Sequence, residues 1–377
     1  VHLLDHVFRS AGLTTATRTD AGVDILGVRQ HGEIAPWSRA LEQLSSNELD
    51  IAIEEIDWAS LHALGIQPRS HPVVALLNVC ANRESCLIQD DARRAVAVLP
   101  SVFAAVSGGG ALVLNGDDHT IAGDDLYHEC ETIVVGESAA NPVLHLHLES
   151  GGASAWMDGG RLHVGVLGHA GSVGDVRDLP FTLRGKAGFQ NQNALIAGAC
   201  AAACGIPLER VASALATFSP KPSTLPASFR ALSMDGSTVL IDRPCPSWFL
   251  RPLLRTLRDL APAKTTIVVG RLSGVPEGDL AETGRLLGRA ADILIFHSIV
   301  KSDERSKLLR AGAASNSVTP LLFHTTDEER AVAKALGHTR PGEAVLILAD
   351  DMDTVMTAIE RSANVSRRPQ PEPASAD

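Results

Sequence analysis

The stretch that most constrains this chain runs from Gly185 to Phe218, GKAGFQNQNALIAGACAAACGIPLERVASALATF. A glycine-bounded turn leads into a helix whose mouth the sequence sets near Asn191–Asn193. From Ala194 to Cys204 that helix is almost free of large side chains. Such a helix costs little entropy to form and can lie unusually close to a sheet or a ligand. Gly205 stops it and Pro207 falls in the first turn of the next helix, where Leu208, Val211, Leu215 and Phe218 return at three- and four-residue steps. A tightly packed core helix and a ligand edge both fit this pattern. The asparagines at the mouth tip it toward the second.

A length of 377 residues exceeds what one hydrophobic core usually supports, so two domains are expected. The apolar fraction of 45% is that of a globular protein. A formal charge of −11 argues against nucleic acid or an anionic membrane as partner, since both need a concentrated basic face. An aromatic content of 4% argues against stacking platforms. Six scattered cysteines form no dense disulfide framework, and no apolar run reaches the roughly 20 residues of a membrane span. The expectation is a soluble, cytoplasmic protein.

Taken in order, residues 1–12 place Leu3, Leu4, Val7 and Phe8 on one helical face that ends at Gly12. A chain that opens inside a helix without methionine is expected to lack part of its amino end. TTATRTDAGVDILG reads as a strand and turn, Trp37–Leu44 as a helix, and Asp50–Glu54 as a strand that presents Glu54 and Glu55 at its carboxyl end. Ligands bind at that end of open α/β sheets, so a carboxylate there can hold magnesium or simply be solvated. His71–Val79 reads as a buried parallel strand, Ala92–Val106 as a helix interrupted by Pro100, and Gly108–Gly110 as a flexible turn. Ala111–Asp118 (ALVLNGDD) is a second buried strand ending in two acids. Between about 131 and 184 the period changes. PVLHLHLES and GRLHVGVLG alternate, which predicts a small antiparallel portion with His145, His147 and His163 at strand spacing. No cysteine or carboxylate set accompanies these histidines, so ordinary strand histidines outweigh a zinc site.

Ser219–Phe229 reads as a linker. Beyond it, strands ending at Asp242 and spanning Thr265–Gly270, Ala291–Phe296, the segment TPLLFH and Glu343–Asp350 alternate with helices over Pro246–Leu260, Gly278–Gly288 and Thr326–Leu336. Asp350, Asp351 and Asp353 suit the cap of a helix over Val355–Arg361, and the tail from Ser362 is expected to be disordered. The fold class is α/β, doubly wound and mostly parallel. The expected domains are 1–220, 221–360 and a tail over 361–377.

The order and spacing of AGLTTATRTDAGVDI, DIAIEEID, ALLNV, ALVLNGDD, FQNQNALIAGACAAACGI, STVLIDRPCP, VVGRLSGVPEGDLAETGRLL and PGEAVLIL resemble the Mur ligase family, and most of all the muramyl-ligase-like half of cyanophycin synthetases. The resemblance spans about residues 1–358. It implies a central ATP-binding domain followed by a Rossmann-like domain. The implied chemistry is ATP- and Mg2+-dependent formation of an amide bond through an acyl phosphate, between a small-molecule acid and an amino acid or peptide. It further implies that Glu55 associates with magnesium, that Asn193 faces the nucleotide base with Gln190 in place of a family asparagine beside it, and that Asp242 lies near the ribose.

The chain departs from the family in several places. The phosphate loop GxxGKT(S/T), which in the family precedes the first helix, is absent from this sequence. The family's NIGEDH-like piece reads NVCANRES (Asn78–Ser85), with Arg83 and Glu84 in a different arrangement. The family's carbamylated lysine should fall near 93–99, where only Arg93 and Arg94 are basic, and arginine cannot be carbamylated into a metal ligand. The DYAHNP-like piece reads DRPCPS, and the linker's glycine–arginine pair reads Ala227–Ser228. Two functions therefore compete: a divergent ligase, or a protein that keeps the fold as a nucleotide-sensing or structural partner of an active paralogue or of its own copies. A dehydrogenase is disfavoured because no GxGxxG follows a strand. Nucleophilic catalysis is disfavoured because no GxSxG elbow is present and Cys245 lacks a recognisable histidine partner.

Overall fold

The structure, a computed structural model, describes residues 1–79, 89–121, 130–166, 168–220, 229–298 and 303–366. The chain divides into two compact units, Val1–Thr224 and Leu225–Asp377.

The first unit opens with α1 (His2–Ser10), β1 (Thr15–Thr19), β2 (Gly22–Ile25), β3 (Val28–Arg29), α2 (Ile34–Ser45), β4 (Ile51–Glu54) and α3 (Trp58–Leu64). These strands form a four-stranded sheet in the order β3-β2-β1-β4, in which only β1 and β4 run parallel. Thr15 Oγ1 donates to Asp5 Oδ1 at 2.5 Å, and Arg9 closes on the same carboxylate at 3.0 Å, which fixes α1 to the start of β1. The apolar face of α1 carries Leu3, Val7 and Phe8 into the main core, as its period predicts.

Next come β5 (His71–Leu76), α4 (Gln89–Ala104), β6 (Val106–Asn115), β7 (Glu131–Gly136), α5 (Pro142–Glu149), β8 (Ala153–Asp158), β9 (Arg161–Val166), β10 (His169–Asp175), α6 (Gly188–Ala203) and α7 (Leu208–Thr217). The six strands form one sheet in the order β10-β9-β8-β7-β6-β5. Three sequence expectations fail here. First, β5 is an edge strand and mostly half-exposed, because its apolar run faces a sheet neighbour on one side only. Second, Gly108–Gly110 lie inside β6, as a bulge where the register passes from His71↔Val106 to Val73↔Ala111. A Cβ on Gly110 would run into the carbonyl oxygen of Pro72. Third, PVLHLHLES is helical: Asn141 accepts from the Val143 and Leu144 amides and Pro142 occupies the first turn, so local capping overrides the apparent alternation. The antiparallel strands β8–β10 extend the main sheet rather than standing apart from it.

Helix α6 opens at Gly188, earlier than its asparagines suggest, and packs on β5 through β9 and on α1 and α7. The small side chains permit this. A Cβ on Gly198 would already touch Val164, Val173 and Val211 at 3.4–3.8 Å. Gly205, at φ +79, closes the helix: its amide bonds the Ala202 carbonyl and that of Ile206 bonds Ala201, the paired contacts that satisfy orphan carbonyls at a helix end. Pro207 sits one place earlier than expected, as the cap of α7.

The second unit comprises β11 (Arg230–Met234), β12 (Ser237–Asp242), α8 (Ser247–Asp259), β13 (Thr265–Val269), α9 (Leu280–Ala290), β14 (Ile293–His297), α10 (Glu304–Ala314), β15 (Leu321–Thr325), α11 (Glu328–His338), β16 (Ala344–Leu348) and α12 (Met352–Ser366). Its sheet runs β11-β12-β16-β13-β14-β15 and is parallel except for β11, which the sequence reading missed. The helix after the aspartate cluster starts at Met352, with Asp351 capping the Thr354 amide at 3.0 Å, and continues past Ser362 to Ser366, where a tail was expected. Residues 367–377 lie outside the description.

Helices α9 and α10 meet backbone to backbone. A Cβ on Gly284 would strike the Leu309 carbonyl oxygen, and one on Gly312 the Ala281 carbonyl oxygen. Neither obstacle is a flexible side-chain end, so the helices would have to part. Gly312→Ala is expected to cost about 2–3 kcal/mol in denaturant unfolding, despite alanine's higher helix propensity. A stabilised variant would contradict this packing.

Candidate nucleotide-binding site

In the first unit the site grows from the turn that delivers α6. Leu183, Arg184 and Gly185 all have positive φ, of 53°, 59° and 85°. Two non-glycine residues in the left-handed region cost about 1 kcal/mol each, so the surroundings must hold them. Buried Thr182 does much of this. Its hydroxyl donates to carbonyls of Val176 and Leu179 and accepts from the Gly185 amide at 3.2 Å. Asn191, also buried, clamps the Gly185 carbonyl at 2.9 Å through Nδ2, while its Oδ1 has no partner among the described residues.

Beginning at Gly188, the helix carries four consecutive amides, Gln190 to Asn193, on three faces. Gln190 and Asn193 share one face. Asn193 Nδ2 donates to Gln190 Oε1 at 3.1 Å, and Asn193 is exposed. Gln192 turns toward the sheet and donates to Asn115 Oδ1 at 2.8 Å. Asn115 in turn donates to the Leu77 carbonyl at 2.6 Å, joining the ends of β5 and β6. Asp117 accepts from the Glu137 amide at 2.7 Å and from Asn141 Nδ2 at 2.8 Å. Asp118 accepts from the amides of Val79 at 2.6 Å and Thr120 at 2.8 Å. The two acids after β6 thus fasten loops. Gln192, Asn115 and Asn141 were not singled out by the sequence reading, because their roles depend on helix phase and strand ends rather than on a motif.

Glu55 is exposed and lies just beyond β4 of the four-stranded sheet. Its amide donates to the Arg18 carbonyl at 2.9 Å, and Arg18 Nη1 holds the neighbouring Glu54 at 2.5 Å. Among the described residues no three histidine, cysteine or acidic side chains group to hold a metal. The predicted histidines do not converge either. His145 pairs with Glu149 at 3.4 Å, His147 meets the Thr132 carbonyl at 3.1 Å, and His163 stacks on Trp156 with ring centroids 5.2 Å apart. Arg83, Glu84, Ala227 and Ser228 lie outside the described residues, and Arg93 and Arg94 fall on α4.

In the second unit Asp242 ends β12. It accepts from the amides of Arg243, at 2.8 Å, and Phe229, yet burial raises its pKa to about 6. Cys245 is pushed up to about 12 by burial, and next by the Asp242 charge, which makes it a poor nucleophile. A second buried group at the carboxyl ends of the strands escaped the sequence reading. Glu328 accepts from the amides of Asp350 and Asp351 at 2.8 and 2.9 Å and lies 3.7 Å from buried His297. Burial, and then the Asp350 and Asp351 charges, raise Glu328 to about 7, while burial lowers the pKa of His297.

No family model matches the chain. It is 23% identical over 370 residues to the cyanophycin synthetase of Nostoc sp., a match covering 95% of this chain and 40% of that protein. It is 29% identical over 170 residues to the UDP-N-acetylmuramoyl-L-alanyl-D-glutamate--2,6-diaminopimelate ligase of Geobacillus kaustophilus, covering 44% of this chain and 34% of that one. Among solved structures, MurF ligase from Thermotoga maritima in complex with ADP matches with a TM-score of 0.61 at 14% identity, over 97% of this chain and 77% of its own. E. coli FolC in complex with ADP matches with a TM-score of 0.63 at 13% identity, over 97% and 86%. The chain has the Mur-ligase fold. It spans about two-fifths of the length of the cyanophycin synthetases it matches. The resemblance expected from the order and spacing of the eight sequence segments is matched by this fold over both units. No helix among the described residues is long and apolar enough to cross a membrane.

The raised pKa of Asp242 sets a pH dependence. Its carboxyl ionises less readily in the folded chain than in the unfolded one. Its contribution to stability is therefore complete below about pH 4 and is lost as pH rises through about 6. Asp242→Asn keeps an acceptor for the Arg243 amide. It should stabilise the chain by about 2 kcal/mol at pH 8 and by nearly nothing at pH 4, as read by denaturant unfolding. An equal effect at both pH values would contradict the assignment.

Proposed function

We propose that this chain carries the nucleotide-binding part of an ATP-dependent ligase that joins a small-molecule acid to the amine of an amino acid or peptide in the cytoplasm. The observation that carries the reading is the Gln190–Asn193 pair. Once Asn193 Nδ2 is bonded to Gln190 Oε1, the pair presents Asn193 Oδ1 as an acceptor and Gln190 Nε2 as a donor. Adenine offers a donor amino group beside an acceptor ring nitrogen, which is the complementary pattern.

Bound ATP would supply the phosphoryl group that makes a carboxylate reactive toward an amine. The residues here serve to hold it. Glu55 suits Mg2+ even as a lone carboxylate, because that ion usually keeps several waters and takes further oxygens from phosphates. Asp242, ionised above about pH 6, suits a ribose hydroxyl as donor. The Gln192–Asn115 bond fixes the azimuth of α6 and so aims Gln190 and Asn193.

A second reading, binding without turnover in support of an active paralogue or within a homo-oligomer, draws on the committed acids. Asp117 and Asp118 are occupied by main-chain amides and Glu54 by Arg18, which thins the carboxylates available to a catalytic metal. The two readings separate in one experiment on the full-length protein. Calorimetric titration of Mg-ATP should give a dissociation constant weakened about tenfold by Asn193→Ala. Release of ADP on adding an acid–amine pair then supports the ligase. Binding with no ADP release from any pair supports the second reading. Unchanged affinity in Asn193→Ala would sink the base-facing role in both.

A further inference from the structure

The second unit contains a cavity that the nucleotide reading does not use. It measures about 380 Å3 and lies at the amino-terminal edge of the parallel strands, the edge opposite the one where Asp242 ends β12. Its floor is one face of the sheet, made by Ile293, Ile295, Leu321 and Phe323. These are cross-strand partners, Ile293↔Leu321 and Ile295↔Phe323, so they form a continuous apolar surface. Leu321 and Phe323 remain 61% and 37% exposed because β15 is the edge strand and α11 leaves part of it uncovered.

The rim is basic. Lys334 and His338 come from successive turns of α11, Lys264 from the approach to β13, and Arg340 from the loop before β16. Glu343 is the single acid in the lining, and it already accepts from the Arg340 amide at 3.0 Å. Among the described residues none of the four basic side chains forms an ion pair. Lys334 Nζ instead rests 4.3 Å from the centroid of the Phe323 ring. In a chain with a net charge of −11, Lys264, Lys334 and Arg340 thus outnumber the single carboxylate of Glu343 around one apolar hollow.

We propose that this cavity binds a small organic anion with a flat apolar body, of the aromatic carboxylate or aryl phosphate class. The apolar part would lie on Ile295 and Phe323 and the anionic group would meet Lys334 and Arg340. The size falls in the range of small-molecule pockets and exceeds what an inorganic ion fills. An apolar ligand without charge would leave the cations unpaired, and a bare anion would leave the floor wet. The site is independent of the proposed ligase activity.

The test is calorimetric titration of the full-length protein with phenyl phosphate, benzoate and inorganic phosphate. Phenyl phosphate or benzoate should bind at one site, and inorganic phosphate at about 10 mM should not displace it. Both Phe323→Ala and the double variant Lys334→Gln/Arg340→Gln should weaken binding at least about tenfold. These surface changes leave the core intact, so retained cooperative unfolding in each variant distinguishes a lost site from a lost fold. Failure of both aryl anions to bind, affinity unchanged in both variants, or displacement by inorganic phosphate alone would overturn the proposal. So would concentration-dependent dimerisation through β15 that is abolished by Leu321→Lys, since the hollow would then serve a second copy of the chain.

Discussion

The close approach of α6 to its sheet is the constraint on which the first unit depends. One helix touches five neighbouring strands and two other helices, and apart from Asn191, Leu195 and Ile196 its buried positions are alanine, glycine and cysteine. Larger residues would lift it off Val164, Val173 and Val211, and the amide fan at its amino end would lose its aim. Two left-handed non-glycine residues mark the cost of delivering the chain to that position. Local strain and close packing there are one device: the turn is held by Thr182 and Asn191 so that the helix begins where Gln192 can reach Asn115.

The same economy governs the acids. At the carboxyl ends of strands in both units, carboxylates accept main-chain amides: Asp117, Asp118, Asp242 and Glu328 all do so. Hydrogen bonds to a carboxylate favour its ionised form, while burial opposes it. Burial wins for Asp242 and Glu328, which rise to about 6 and about 7. An acid at a strand end is therefore weak evidence for a metal in this molecule. Glu55 differs from these four in being exposed.

Much of the architecture was readable in the sequence because its signals are local. Apolar β-branched runs marked β12, β13, β14 and β16, and Gly205 marked the end of α6. The reading failed where two local signals conflict. PVLHLHLES alternates like a strand but carries Asn-Pro at its start, and the cap decided for helix. Gly108–Gly110 look like a turn, yet the partner strand tolerates a bulge. The site was half readable. Gln190 and Asn193 lie together, but only the true helix start at Gly188 explains why, and it also assigns Gln192 to the sheet. The packing of Gly284 and Gly312 against carbonyl oxygens across α9 and α10 was invisible, because close approach leaves no mark on periodicity.

The most direct test of the central claim, that the α6 amide pair reads a base, is the ratio of Mg-ATP to Mg-GTP affinity in the full-length protein. Guanine places a carbonyl and an N–H where adenine has an amino group and a ring nitrogen, so it inverts the pattern that Asn193 Oδ1 and Gln190 Nε2 complement. The account predicts a preference for ATP of about tenfold or more, lost when Asn193 is replaced by alanine. Equal affinity for the two nucleotides in the unaltered protein would contradict it.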